Sequence, residues 1–160
     1  MPATCSFDYA VVRVVPRVDR EEFVNAGVIL FCLERDHLAA RVELDRRRLR
    51  AVWPEADPDL VEEHLRAIPL ICAGGEGAGP IGRLSRRERF HWLVAPRSTV
   101  IQVSPVHAGL CADPERTLVE LVDRLVRLPR RRKPARPRRR SAARPPRAPR
   151  GRRTRATRGS

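Results

Sequence analysis

Apolar positions alternate with the period of a β-strand through the first third of the chain. Residues 7–15 are rich in aromatic and β-branched types and predict a strand that ends before Pro16. Residues 23–33 are apolar on both alternating faces, as expected of a central strand, and residues 38–44 are apolar on one face. Because short connections join the three segments, they predict an antiparallel meander.

Helical spacing replaces this alternation after residue 44. Capping residues, two of them followed by proline at the first helical position, mark the predicted helix starts at Asp45, Asp57-Pro58, Ser85 with Glu88, and Asp113-Pro114. We expect Pro69 to break or kink the second helix, and residues 74–82 to form a flexible loop. Residues 99–104 predict a further strand, which breaks into a Pro- and Gly-containing turn at 105–109.

The order of these elements predicts an α+β fold. We expect an antiparallel sheet of about four strands, the first three a meander, packed with three to four helices. Residues 1–129 are expected to form one domain, since single domains cluster near ~100–150 residues. The longest unbroken apolar run, residues 26–33, is far shorter than the ~20 residues of a membrane helix, and no signal stretch precedes it. A cytoplasmic location is therefore expected.

Charge divides the chain at residue 129. Residues 130–160 contain fifteen of the 33 basic residues and none of the 19 acidic ones, so they carry +15 while residues 1–129 carry −1. The last segment also lacks Leu, Ile, Val, Met and aromatic residues, and this composition predicts a disordered tail rich in Arg and Pro. Arg, Pro and Ala share GC-rich codons, so composition leaves open whether the tail is selected for a function, is drift, or is a reading-frame artefact.

The tail defines an alternative class of function, a nucleic-acid-associated protein. A cationic segment binds phosphate backbones because each neutralised phosphate releases condensed counterions. No aromatic residue is interleaved with the charges, so sequence-specific reading is not expected. The predicted nucleic-acid contacts are Arg130, Arg131, Arg132, Lys133, Arg138, Arg139 and Arg140.

The chain carries no motif typical of a catalytic, cofactor or metal site. The cysteines at 5, 32, 72 and 111 are 27, 40 and 39 residues apart with no CxxC pair, which predicts neither a disulfide framework nor a structural zinc site. Cys32 and Cys72 lie in apolar runs and are expected to pack as small hydrophobic side chains. We therefore predict no catalytic residue, no cofactor and no metal.

Two polar residues interrupt the predicted strands, Arg13 in the first and Asn25 in the second. A hairpin centred near Asp19 places them opposite one another. Since a buried guanidinium or amide needs hydrogen-bond partners, the pair either fixes the register of the hairpin or belongs to an anion-binding patch. That patch would also contain Arg97, Gln102 and His107.

His107 lies where the predicted strand at 99–104 ends, and polar groups at the end of a rigid strand often build sites. A nucleophile pair of Ser104 and His107 is a further hypothesis, although no orienting acid is assigned to it. An unrecognised enzyme that uses His107 or His91 is therefore the lesser alternative for the function.

Two segments of the chain are long enough to compare with a known family: FVNAGVILFC at 23–32, and FHWLVAPRSTVIQVSPVHAGL at 90–110 followed by Asp113. They resemble the bacterial domain-of-unknown-function family DUF3037, over about residues 7–128. The resemblance implies no established activity and no catalytic residue. The context in which family members are encoded implies a HipA-like kinase as the protein partner.

The leading hypothesis is a non-catalytic binding or regulatory module that contacts a protein partner through residues 97–109 and the adjoining sheet. The resemblance adds a set of matching residues, namely Asn25, Gly27, His91, Trp92, Gln102, Ser104, Pro105, His107 and Gly109. The candidate functional surface comprises Arg13, Asn25, His91, Arg97, Gln102, Ser104 and His107.

Overall fold

One antiparallel sheet of five strands organises the part of the chain that the computed structural model describes, residues 3–129. The strands are β1 (Cys5–Val14), β2 (Val24–Cys32), β3 (His37–Val42), β4 (Ile101–Val103) and β5 (His107–Cys111). Their order is β3-β2-β1-β4, and β5 pairs with β1 on the same edge as β4. The predicted α+β fold and the meander of the first three strands are therefore confirmed.

The predicted turn at 105–109 is wrong, because most of it belongs to β5, which pairs with the first half of β1. Gly109, one of the residues that favoured a turn, lies opposite Phe7. A Cβ atom at Gly109 would lie 2.6 Å from an atom of the Phe7 ring, so this glycine serves a close contact between two strands. Pro105 precedes β5 and interrupts the edge of the sheet only locally.

The helices begin where their caps predicted, as α1 (Arg46–Val52), α2 (Pro58–Ala73), α3 (Arg86–Val94) and α4 (Pro114–Leu125). The side chain of each N-cap accepts at least one backbone hydrogen bond from the first turn of its helix. Helix α2 does not end at Pro69. It continues to Ala73 because Ile71 and Cys72 still pack in the core, while proline removes a single intrahelical donor.

The connection between α2 and α3 is more regular than the flexible loop predicted at 74–82. Its residues Glu76–Arg83 form two 3₁₀ segments separated by a kink at Gly79, whose φ is 64°. The buried guanidinium of Arg89 donates to the carbonyls of Leu84 (2.6 Å) and Cys72 (3.2 Å). These bonds tie the end of α2 and the end of the connection to α3.

Two apolar layers cover the two faces of the sheet. On one face, alternate residues of the strands, among them Val12 and Ile29, pack against α1, α2 and α3. On the other face, Phe7 and Leu30 pack under α4. Strand β2 is buried on both faces over nearly its whole length, as its doubly apolar pattern predicted. Within residues 3–129, no helix combines the length and apolarity that crossing a bilayer requires.

Candidate functional site

Three polar side chains form a row across the sheet. Arg13 lies opposite Asn25 on β2 and opposite Gln102 on β4. The pairing with Asn25 agrees with the hairpin predicted from the sequence. A β-bulge between Val12 and Arg13 shifts the register here, and the row lies on the same face of the sheet as α4.

The members of this row are engaged differently. The amide nitrogen of Asn25 donates to the Leu125 carbonyl (3.1 Å) and so ties the end of α4 to the sheet. The guanidinium of Arg13 lies over the Phe23 ring, 4.3 Å from its centroid. It borders a depression of about 240 Å³ that Gln102 also lines. Asn25 therefore has a hydrogen bond to a helix end, whereas the half-buried Arg13 contacts Phe23 and borders the depression.

The other residues of the predicted surface lie apart from this row. His107 is opposite Tyr9, with ring centroids 5.3 Å apart, and Tyr9 is roughly 13 Å along β1 from Arg13. His91 is exposed on α3 and lines a separate small depression. Arg97 lies on the linker before β4. The structure therefore brings Gln102 next to Arg13 and does not gather the predicted anion patch at one place.

A groove of about 410 Å³ lies between α2, the end of α3 and β4, and its volume is typical of ligand sites. Most of the residues that line it are apolar, and they are His64, Ala67, Ile68, Ile71, Trp92, Leu93, Ala95, Arg97 and residues 99–103. At the rim, the Arg97 guanidinium lies 4.0 Å from the centroid of the Trp92 ring and donates to the Trp92 carbonyl (2.7 Å). The groove is thus an apolar cleft with one cation at its edge.

The strand that borders this groove has an open edge. Within residues 3–129, β4 has one strand neighbour, β1. The Ser104 N–H donates to the Val11 carbonyl (2.8 Å), so by antiparallel alternation the N–H groups of Ile101 and Val103 point away from β1. The Ile101 carbonyl accepts from the Thr99 hydroxyl (2.8 Å). The two N–H groups and the Val103 carbonyl are placed to pair with an additional strand.

A protein-family model matches the part of the sequence that forms most of these elements. A model described as a protein of unknown function, DUF3037, matches residues 9–126. The chain belongs to the DUF3037 family. The match includes the polar row, the groove and all four helices. No curated protein and no solved structure matches the chain.

Ser104 joins β4 to β5 along the edge of β1 in the DUF3037 domain. Its hydroxyl accepts a hydrogen bond from the Val11 N–H (2.8 Å) and donates one to the Pro105 carbonyl (2.9 Å). The side chain is buried, and its bond to Val11 replaces the backbone acceptor missing between the two strands. Both bonds are to backbone groups, so the hydroxyl has a structural role at this edge of the sheet.

Ser104→Ala is expected to lower the free energy of unfolding by about 1–3 kcal/mol, because the buried N–H of Val11 loses its acceptor. Urea titration followed by circular dichroism measures this loss. Ser98→Ala is the matched control, since Ser98 is exposed, and it should change the free energy by less than about 0.5 kcal/mol. Equal effects of the two variants would contradict the structural role of Ser104.

Three cysteines that are far apart in the sequence lie close together at one end of the sheet. The Sγ atom of Cys5 lies 3.2 Å from that of Cys32 and 3.7 Å from that of Cys111. Spacing along the chain gives no signal of this cluster, because the three thiols come from β1, β2 and β5. Cys72 packs in the opposite layer, where burial raises the pKa of its thiol to about 12. Among residues 3–129, no group of His, Cys, Asp or Glu has the arrangement of a metal site.

The predicted nucleic-acid contacts between Arg130 and Arg140 lie outside the described residues of the DUF3037 protein, as does the predicted disorder of the tail. Their support is the charge of the sequence. The candidate site in the described part is therefore the apolar groove together with the open edge of β4.

Proposed function

We propose that this protein is a non-catalytic binding module that accepts an extended segment of a partner protein along β4. The observation that carries the proposal is the open edge of β4 beside an apolar groove. An incoming strand pairs with the backbone of Ile101 and Val103, as in other proteins that bind peptides by adding a strand to a sheet. Because side chains alternate along a strand, every second side chain of the segment faces the groove.

The chemistry of the groove defines the segment. Its walls favour an apolar side chain, whose burial contributes about 1.5–3 kcal/mol. Both described contacts of the Arg97 guanidinium are with Trp92, and neither neutralises its charge. A carboxylate of the partner at the rim of the groove would neutralise the charge of Arg97 and accept a charge-assisted hydrogen bond from its guanidinium. The partner segment is therefore extended, apolar at one position, and acidic close to it.

This proposal keeps the leading hypothesis from the sequence, in which residues 97–109 contact a protein partner. It narrows that surface to residues 97–103 together with the α2 and α3 walls of the groove. The family resemblance puts HipA-like kinases forward as the first proteins to search for such a segment. Binding of this segment would be the step through which the module regulates its partner.

Selection of random linear peptides on phage against the immobilised full-length chain tests the proposal directly. The selection is made at high salt, which screens contacts of the basic tail. The expected consensus has an apolar residue two positions from Asp or Glu, or close to the C-terminal carboxylate. Isothermal titration calorimetry of the synthetic consensus peptide then gives its affinity for the wild type and for variants.

Ala67→Arg is expected to weaken binding of the consensus peptide at least about tenfold, equivalent to ~1.4 kcal/mol. Ala67 is exposed on the α2 wall, so the larger side chain fills the groove without disturbing the core. Ala51→Arg is the matched control, since Ala51 is exposed on α1 outside the groove.

Val103→Pro removes an outward N–H and should also weaken binding. Equal affinity of both arginine variants and of Val103→Pro would refute the proposal.

A second function is favoured by one specific observation, the separation of charge between residues 1–129 and 130–160. We propose that the segment 130–160 binds nucleic acid through phosphate contacts, without reading its sequence. This function is independent of the groove. It requires that affinity for nucleic acid reside in the tail, since residues 1–129 carry a net charge of −1.

A further inference from the structure

Cys5 is the central thiol of the cluster formed with Cys32 and Cys111. None of the three side chains is more than 6% exposed, and they lie in the layer under α4. A disulfide requires its sulfur atoms to approach to about 2.05 Å. The Sγ atoms of Cys5 and Cys32 are 3.2 Å apart, so roughly 1.2 Å separates this pair from bonding distance. The Sγ of Cys111 is farther from Cys5, at 3.7 Å.

The surroundings favour negative charge on Cys5 over its two neighbours. A hydrogen bond from Cys32 is the largest influence on the Cys5 thiol and lowers its pKa. Burial opposes this effect, and Cys111 and the Arg35 guanidinium lower the pKa further. Arg35 is held at the start of β1 by its hydrogen bond to the Ala3 carbonyl (2.8 Å). Burial raises the pKa of the Cys32 thiol and raises that of Cys111 to about 11. Cys5 lies within 3.7 Å of both other sulfur atoms and has the lowered pKa of the three, which favours it as the thiol that reacts first, since the thiolate is the reactive form.

We propose that Cys5 and Cys32 form a reversible intramolecular disulfide when hydrogen peroxide reaches the cluster. The Cys5 thiolate attacks one peroxide oxygen, so that an S–O bond forms while the O–O bond breaks, and the departing hydroxide takes up a proton to become water. Cys5 is thereby oxidised by two electrons to a sulfenic acid. The Cys32 thiol then loses its proton and attacks the Cys5 sulfur. The S–S bond forms, the S–O bond breaks, and the hydroxyl leaves with that proton as a second water.

The disulfide joins the start of β1 to the end of β2, across 27 positions of the chain. Both cysteines are buried, so the oxidant enters when this end of the sheet opens locally. A small peroxide needs less opening than a bulky disulfide oxidant. Two equivalents of a thiol reductant supply the two electrons that restore both thiols. The site is thus a modification site for peroxide, separate from the groove and independent of its function.

Peptide mapping of the oxidised full-length chain tests the proposal. The reduced protein is treated with hydrogen peroxide, denatured, alkylated with N-ethylmaleimide and digested with trypsin without reduction. Each cysteine then lies in its own peptide, with residues 1–13, 21–35, 67–83 and 98–116. The expected product links 1–13 to 21–35, while Cys72 and Cys111 carry the alkyl group. Dithiothreitol added before alkylation should abolish the link.

Cys72→Ala is the matched control, because Cys72 is a buried cysteine outside the cluster, and this variant should keep the link. Cys32→Ala should lose it, as long as circular dichroism shows the variant to be folded. If the Cys32→Ala variant does not fold, the peptide map of the oxidised wild-type chain still shows which two cysteines are linked. A link between Cys5 and Cys111, a link that involves Cys72, or oxidation to sulfinic acid without any link would overturn the proposal.

Discussion

Replacing Gly27 with alanine is expected to lower the free energy of unfolding by about 3 kcal/mol, at the upper end of the usual cost of overpacking. A Cβ atom at this position would lie 2.6 Å from the Arg41 carbonyl oxygen and 3.1 Å from the Val42 Cα. A side-chain atom of Val42 also lies 3.0 Å away, but the Arg41 oxygen and the Val42 Cα are backbone atoms of β3, which pairs with β2 at this point. Relief of the clash therefore requires the two strands to separate, since no side-chain rotation removes it.

Thermal unfolding followed by circular dichroism measures this effect, and a loss of about 3 kcal/mol corresponds to a fall in Tm of about 10 °C or more for a domain of this size. Gly77→Ala is the matched control. Gly77 lies in the 3₁₀ segment, and a Cβ atom there meets no atom within 4 Å. Its Tm should remain close to that of the wild type. A Gly27→Ala protein as stable as the Gly77→Ala protein would show that the close approach of β2 and β3 is not required.

Ending the chain at Pro129 is expected to reduce its affinity for single-stranded RNA by at least about a thousandfold at low salt. The truncation removes a segment with a charge of +15 and leaves residues with a net charge of −1. If about eight basic residues contact phosphates, the affinity of the full chain should fall about a thousandfold between 50 and 200 mM salt, because counterion release gives a slope of about −0.7 per contact. Fluorescence anisotropy of a labelled 20-nucleotide RNA measures both effects.

A tail of unchanged length with seven of its fifteen positive charges removed separates the effect of charge from the mere presence of the segment. Glutamine at the seven predicted contacts should remove most of the salt slope, because seven of about eight phosphate contacts are lost. The replaced residues are Arg130, Arg131, Arg132, Lys133, Arg138, Arg139 and Arg140. RNAs of different sequence should bind alike. Full affinity of the chain that ends at Pro129 would refute binding through the tail and leave the groove proposal intact.

Local sequence patterns were sufficient to predict those features of the fold that depend only on residues within the same strand, helix or hairpin. The doubly apolar run at 23–33 predicted a strand buried on both faces, and β2 is such a strand. The Asp and Ser caps predicted the starts of all four helices, because a cap acts on the first turn that follows it. The pairing of Arg13 with Asn25 was predicted correctly, since a short hairpin fixes which residues of its two strands lie opposite each other.

Local patterns predicted the wrong structure where contacts with residues far away in the chain determine the conformation of a segment. The glycine and proline after Ser104 predicted a turn, yet the segment is strand β5, because β1 is long enough to pair with both β4 and β5 along one edge. Of the two outcomes expected at Pro69, a break does not occur, because α2 continues to Ala73 and the core still buries residues that follow the proline. The sequence alone does not reveal that the Ser104 hydroxyl bonds to the Val11 N–H and to the Pro105 carbonyl.

By itself, the sequence determined the α+β class, the meander, the helix starts and the division of charge at residue 129. These properties depend on side-chain periodicity, on caps and on composition, all of which act within a few residues. The tertiary structure alone decided the open edge of β4, the groove beside it and the meeting of three thiols. Each of these depends on strand pairing and helix packing between residues far apart in the chain, and spacing along the sequence does not encode such distances.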